Sequence, residues 1–136
     1  MNHLEEGTTL QLDWTKLDSL AGKGLSVIPV AVQNADTKEV ILIAYTNEQA
    51  LKESLKTRIA TFWSTSRNEL WIKGKTSGQY YELIEARVNC EQNSLVYKVR
   101  PRRCGICHTK NAAGQARNCY YRRVNLKSLA LENLDP

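Results

Sequence analysis

Cys90, Cys104, Cys107 and Cys119 are the only cysteines of the chain, and all lie in its last third. Cys107 is followed at once by His108, and the only other histidine is His3. Thiols are soft metal ligands, so such a late cluster suggests one metal site. Several chemistries fit the letters. Cys104-Gly105-Ile106-Cys107-His108 has the pattern of a c-type haem attachment, which needs an exported chain and usually a second axial ligand. Met1 is the only methionine. All four cysteines could close a structural zinc tetrahedron, although only Cys104 and Cys107 are spaced as a knuckle. Three thiolates and a water in the fourth position would make a catalytic zinc, which brings the pKa of that water toward neutrality. His108, beside a ligand, could then move protons, whereas a lone histidine next to a cysteine is more often structural. The ligand count alone does not choose. Two disulfides would need an oxidising compartment.

The elements that must position these residues can be read from periodicity and turn chemistry. Residues 12–22 fit a short amphipathic helix ended by Gly22 and Gly24. Ser26–Gln33 and Val40–Tyr45 read as strands joined by the turn at 34–38, hence a hairpin. Thr46 or Asn47 can cap a helix running to about Lys56, with Ala50, Leu51 and Leu55 facing inward. Ala60–Ser64 and Leu70–Lys73 read as two more strands. Tyr80–Val88 and Ser94–Arg100 read as a second hairpin around Cys90. An irregular stretch follows from Pro101 to Asn118, then a short strand over Cys119–Val124 and a terminal helix over Leu126–Leu134. The expected class is α+β with a mostly antiparallel sheet and a few short helices. With 136 residues, one domain spans 1–136, with 1–25 a helical extension and 125–136 a C-terminal helix.

A 42% hydrophobic share and 24% charged residues describe an ordinary globular chain. No apolar run reaches membrane-spanning length. The N-terminus, Met1 to Gly7, is polar and acidic rather than signal-like, so the expected location is the cytoplasm, where thiols stay reduced. The net charge is +5, and the surplus gathers late: Arg100, Arg102, Arg103, Lys110, Arg117, Arg122, Arg123 and Lys127. With Tyr120 and Tyr121 among them, these cations could meet nucleic acid or a phosphorylated small molecule. A solvated charged surface accounts for most of them.

From Ile28 to about Arg123 the chain resembles the phosphoribosyl-AMP cyclohydrolase family of histidine biosynthesis. Val32-Gln33-Asn34-Ala35-Asp36-Thr37-Lys38-Glu39-Val40 resembles its first hairpin, and the Ala44–Leu51 stretch its strand-to-helix step. The segment Phe62 to Gly78 resembles its most distinctive text: a Ser-Arg-Ser-Arg run, then Leu-Trp, Lys-Gly and Ser-Gly. Cys107-His108-Thr109 and Cys119-Tyr120-Tyr121-Arg122 match its later zinc motifs. The resemblance implies zinc on Cys90, Cys107 and Cys119, with Cys104 a spare. It implies an intertwined homodimer whose zinc ligands come from both subunits. The implied reaction is hydrolysis of the purine N1–C6 bond, with His108 the proton-transfer residue. Ser66, Arg67, Lys73, Lys75 and Ser77 would face a phosphorylated purine-like nucleotide, and neither membrane nor nucleic acid is implied as partner.

The departures cluster at the chemistry. The family flanks its first zinc cysteine with Asp-Cys-Asp-x-Asp, whose aspartates bind magnesium. Here the text is Asn89-Cys90-Glu91-Gln92-Asn93. Magnesium prefers charged oxygen ligands, so these positions are degenerate and speak against the ion. Thr65 stands for an arginine of the Ser-Arg-Ser-Arg run, and Lys75 for a glutamate. The loop from Cys107 to Cys119 is longer than the usual spacing. A paralogue acting on another purine-like nucleotide is the rival reading. A non-catalytic, zinc-stabilised nucleotide- or RNA-binding module is another.

Overall fold

A computed structural model describes residues 3–73, 80–102 and 107–136. Its centre is a sheet that begins with the hairpin β1 (Ile28–Asn34) and β2 (Val40–Thr46). The Asn34 side chain accepts the N–H groups of Asp36 and Thr37 at 2.9 and 3.1 Å, and Lys38 takes the left-handed conformation with φ 68°. A short polar side chain that satisfies its own turn is why this stretch stops being strand. The second hairpin joins β5 (Tyr81–Val88) to β6 (Leu95–Pro101). The order is β2-β1-β6-β5, with β1 and β6 parallel and the outer pairs antiparallel. No residue of the described chain forms a helix long and apolar enough to cross a membrane.

The parallel pair needs a crossover. It carries helix α3 (Glu48–Thr57) and the small hairpin of β3 (Thr61–Ser64) and β4 (Glu69–Ile72). Asn47 caps α3, its side chain accepting the Ala50 N–H at 2.9 Å, as the sequence predicts. Arg58, with φ 62°, closes the helix in the left-handed conformation. The inward face differs from expectation. Ala50 and Ser54 are buried and Leu51 packs on the core, but Leu55 is 46% exposed. The buried stripe is centred on the i, i+4 pair Ala50 and Ser54, and small side chains there let the helix sit close on β3. Leu55 thereby rolls off the edge.

The core lies between the sheet and this crossover. Val30, Val32, Tyr97 and Val99 meet Phe62, Ala60 and Leu83, with the Phe62 ring 6.1 Å from Tyr97 and 5.6 Å from Trp71. Burying such rings supplies most of the drive to fold.

The two ends of the chain depart most from the reading. Preceding the sheet are α1 (His3–Glu6) and α2 (Lys16–Gly22), so the helix expected from residue 12 starts later. The expected strand over Cys119–Val124 shortens to β7 (Arg122–Val124). The expected C-terminal helix is absent: residues 125–130 form a turn, and β8 (Leu131–Asn133) pairs back on β7. The cause is local. The Asn125 side chain accepts the N–H groups of Lys127 and Ser128 at 2.9 and 3.0 Å, and Leu129 adopts φ 63°. An asparagine that bonds its own turn competes with helix at its start.

The Ser54 hydroxyl joins crossover helix to crossover strand. It accepts the Thr61 N–H at 2.8 Å and lies within donating distance of the Thr61 and Ala50 carbonyls, at 2.9 and 3.0 Å. Ser54→Ala leaves a buried N–H unpaired, so it should destabilise the fold by about 1–3 kcal/mol. Urea unfolding checks this, and an unmoved midpoint would show that the hydroxyl contributes nothing.

Candidate metal centre and nucleotide cavity

Beyond β6 the chain makes a closed excursion from Cys107 to Cys119. The Cys107 N–H donates to the Arg117 carbonyl at 2.7 Å, and the Arg117 N–H to the Thr109 carbonyl at 3.2 Å. At the tip the Asn111 side chain accepts the N–H groups of Ala113 and Gln115 at 3.0 and 2.9 Å, and Gly114 turns with φ 77°. The Cys119 N–H then donates to the Ile41 carbonyl at 3.1 Å, fixing the second thiol against the start of β2. The Thr109 hydroxyl donates to the Cys107 sulfur at 3.1 Å.

The excursion is held from below by the chain termini. Arg117 is only 3% exposed. It pairs with Glu6 at 2.6 Å, donates to the Asp135 carbonyl at 2.7 Å and lies 4.6 Å from the Tyr121 ring centre. Arg122 donates to the Gly7 and Leu4 carbonyls at 3.0 and 2.9 Å. Arg100 pairs with Asp36, and Arg123 with Glu132. Four of the late arginines thus have partners within the molecule, two of them, Arg100 and Arg123, in exposed ion pairs.

The thiol pair itself is electrostatically incomplete. Cys119 is exposed as a residue, but its sulfur hydrogen-bonds Cys107. Loss of hydration, then the neighbouring Cys107, push its thiol up to about 11, while Lys73 pulls the other way. Tyr81, close enough for Cys119 to act on it, is raised chiefly by burial, and its hydroxyl has no hydrogen-bond partner among the described residues. Two adjacent thiols, beside a lone buried hydroxyl, fit a soft divalent cation, because such an ion neutralises both thiolates at once.

Cys90 lies elsewhere. Cys119 adjoins Tyr81 at the start of β5, whereas Cys90 sits in the turn beyond the end of that strand. About nine residues of extended chain at ~3.3 Å each separate them, or roughly 30 Å. Accordingly, the described residues hold no cluster of three metal-ligating side chains. His108 is exposed, its Nε2 paired with the Glu5 carboxylate. In the Cys90 turn the Asn89 amide donates to the Asn93 side-chain oxygen at 2.7 Å. The Asn89 oxygen accepts the N–H groups of Asn93 and Ser94 at 2.9 and 3.0 Å. The turn thus closes on itself, with the side-chain oxygens of Asn89 and Asn93 accepting hydrogen bonds and Glu91 the one carboxylate of the segment, a donor set poorer in charge than magnesium prefers.

Ser66 and Arg67 fall in a cavity of about 510 Å³ between β2 and the small hairpin. Trp63, Trp71 and Tyr45 supply aromatic walls, and Ser64, Thr65 and Lys16 the polar rim. The Arg67 Nε points at the Ser64 hydroxyl, 3.4 Å away, and at Glu69, 3.5 Å away. Lys73 is at the end of β4, by the thiol pair rather than in this cavity. Lys75, Ser77 and Cys104 lie outside the described residues. Sequence reasoning missed Lys16, Glu5 and Glu6, and read Arg117 as one of a set of cations rather than as the partner of Glu6. Each meets its partner across a long separation in the chain, and no periodicity marks such a pairing. The aromatic walls did leave a signal, three large rings within the two strands of one short hairpin and the neighbouring β2.

The profile of the phosphoribosyl-AMP cyclohydrolase family matches residues 42–121, which contain Cys107, Cys119, the Cys90 turn and every lining residue of the cavity but Lys16. A phosphoribosyl-AMP cyclohydrolase of Archaeoglobus fulgidus is 45% identical over 102 residues, covering 75% of this chain and 87% of that protein. That of Caulobacter vibrioides is 47% identical over 97 residues, covering 71% and 66%. A histidine biosynthesis bifunctional protein of Aquifex aeolicus is 40% identical over 98 residues; the match covers 72% of this chain but 45% of that longer protein. Fold and matches together define an enzyme of the cyclic-amidine hydrolase class. The chain belongs to the phosphoribosyl-AMP cyclohydrolase family.

The raised Cys119 thiol has a pH consequence. The folded chain holds this proton more tightly than the unfolded chain, so the thiol favours folding at low pH and loses that contribution as pH rises from 9.0 to about 11. Chelator-treated protein should melt at progressively lower temperature across that window, and Cys119→Ser should flatten the fall. An equal fall in the variant would remove this thiol as the cause.

Proposed function

We propose that the chain hydrolyses phosphoribosyl-AMP at the purine N1–C6 bond, as a homodimer with a zinc site shared between subunits. The observation that carries the reading is the separation of the thiols. Cys107 and Cys119 form a pair next to a nucleotide-sized aromatic cavity, while Cys90 is a strand length away. A second copy, packed so that its β5–β6 turn meets the thiol pair, would supply the third ligand: Cys90 of the partner subunit. The outer sheet face offers a contact row in Ile43, Ala31 and Val96, adjacent in register, with Ile43 exposed.

Zinc bound there supplies Lewis-acid activation of water near neutral pH. The protein residues do the rest. Trp63, Trp71 and Tyr45 would stack the base and exclude water from its faces. Arg67 and Ser66 would take phosphate oxygens through charge-assisted hydrogen bonds. Water adds at C6, the C6–N1 bond breaks and N1 takes up a proton. His108 is the group we assign to hold that proton, on Nδ1, with Glu5 orienting the ring through Nε2. No step uses magnesium, since the Asn89–Asn93 amide pair closes the turn where the resemblance places that ion.

Ring opening of phosphoribosyl-AMP, followed by ultraviolet absorbance, tests the reading directly. Zinc-loaded protein should turn over at the same rate with and without added magnesium, and Cys107→Ser should lose both zinc and turnover. Absence of ring opening by the zinc-loaded parent overturns the assignment. Cys90→Ser and Cys107→Ser, each inactive alone, should recover part of the activity when unfolded and refolded together. No recovery would rule out a site built from two subunits.

A further inference from the structure

The nucleotide cavity contains a cation that the family-matched region does not supply. Lys16 opens α2, well before the matched segment begins at residue 42. Its ammonium donates to the Thr65 hydroxyl at 3.1 Å and sits 5.8 Å from the centre of the Tyr45 ring. Thr65 is buried, so this bond draws the head of an otherwise exposed lysine down to the cavity wall. The described lining residues include two cations, Lys16 and Arg67, and no carboxylate. Arg67 has Glu69 at 3.5 Å as a counter-charge. Lys16 makes its direct contacts with a neutral hydroxyl and an aromatic face, and the Asp13 carboxylate acts on it only through space, without an ion pair. A cation in a concave, partly apolar wall gains most from an anionic ligand, because screening by water is weaker there.

We propose that Lys16 is a phosphate-binding residue of this cavity, delivered by the N-terminal segment to the place where Thr65 stands for an arginine. The proposal rests on reading the cavity as the nucleotide site. The cation reaches the same spot by a different route: an arginine on the hairpin itself is replaced by a lysine from α2, with the Thr65 hydroxyl as its docking point. Lys16 therefore sets affinity for the phosphate rather than the chemistry at C6.

The test uses zinc-loaded full-length protein. Calorimetric titrations with AMP and with ribose 5-phosphate probe the phosphate, and adenosine and ribose serve as uncharged controls. Lys16→Met keeps the apolar stem over Tyr45 and removes the charge. It should weaken at least one of the two phosphate probes by about tenfold, the loss of one charge-assisted hydrogen bond, and leave adenosine unchanged. KM for phosphoribosyl-AMP should rise by a similar factor, with a smaller change in kcat. Adding Thr65→Arg to Lys16→Met should recover most of the loss, which a merely structural lysine would not allow. Equal weakening of AMP and adenosine, or no weakening of either phosphate probe, overturns the proposal. Lys16-dependent phosphate binding by a protein that opens no purine ring would support the phosphate site and overturn the assigned reaction instead.

Discussion

The parallel pairing of β1 with β6 is the constraint from which the rest of the arrangement follows. Val30 to Asn34 run in register with Leu95 to Val99, and the Ala35 N–H extends the ladder to the Val99 carbonyl at 2.8 Å. Since both strands point the same way, the end of β6 and the start of β2 lie at the same end of the sheet, on either side of β1. The chain leaving β6 therefore begins where Ile41 offers a carbonyl, and the second thiol can be pinned there. The same pairing obliges the intervening residues to cross over the sheet. That crossover brings Phe62 into the core and leaves Trp63 and Trp71 lining a cavity along β2. One backbone register thus sets the thiol pair and the aromatic cavity walls against neighbouring stretches of β2.

Charge is distributed with similar economy. The late arginines looked like a basic surface, but the most deeply buried of them, Arg117, holds the two ends of the chain to the thiol excursion. Burying a guanidinium is tolerated only with its donors satisfied, and Glu6, Asp135 and the Tyr121 face do that. The cations left for ligands are those with weak or neutral partners. That distinction separates a structural arginine from a binding one better than clustering in the sequence does.

What could be read in advance was what local chemistry decides. The two hairpins, the Asn47 cap and the α+β class followed from alternation, turn residues and capping preference. The cysteine motifs were legible because soft ligands are rare. Leu55 was misplaced because periodicity gives a face but not its centre, which Ala50 and Ser54 fix by close packing. The terminal helix was misplaced because Asn125 captures its own turn, and β8 gains a neighbour when the Leu131 N–H donates to the Thr8 carbonyl. The contacts of Lys16 with Thr65, Glu5 with His108 and Glu6 with Arg117 depend on the fold bringing the N-terminal segment across the molecule.

The self-closing turn between Cys107 and Cys119 has an evolutionary implication. Its tip is satisfied by Asn111 and Gly114, and its base by the cross-strand bonds between Cys107, Thr109 and Arg117. Residues inserted at such a tip lengthen the sequence between two ligands without moving either. The entropic penalty of the added length grows only logarithmically. Lineages can therefore gain or lose residues there with little selection against them, and the spacing of Cys107 and Cys119 along the chain can drift while their spacing in space stays fixed.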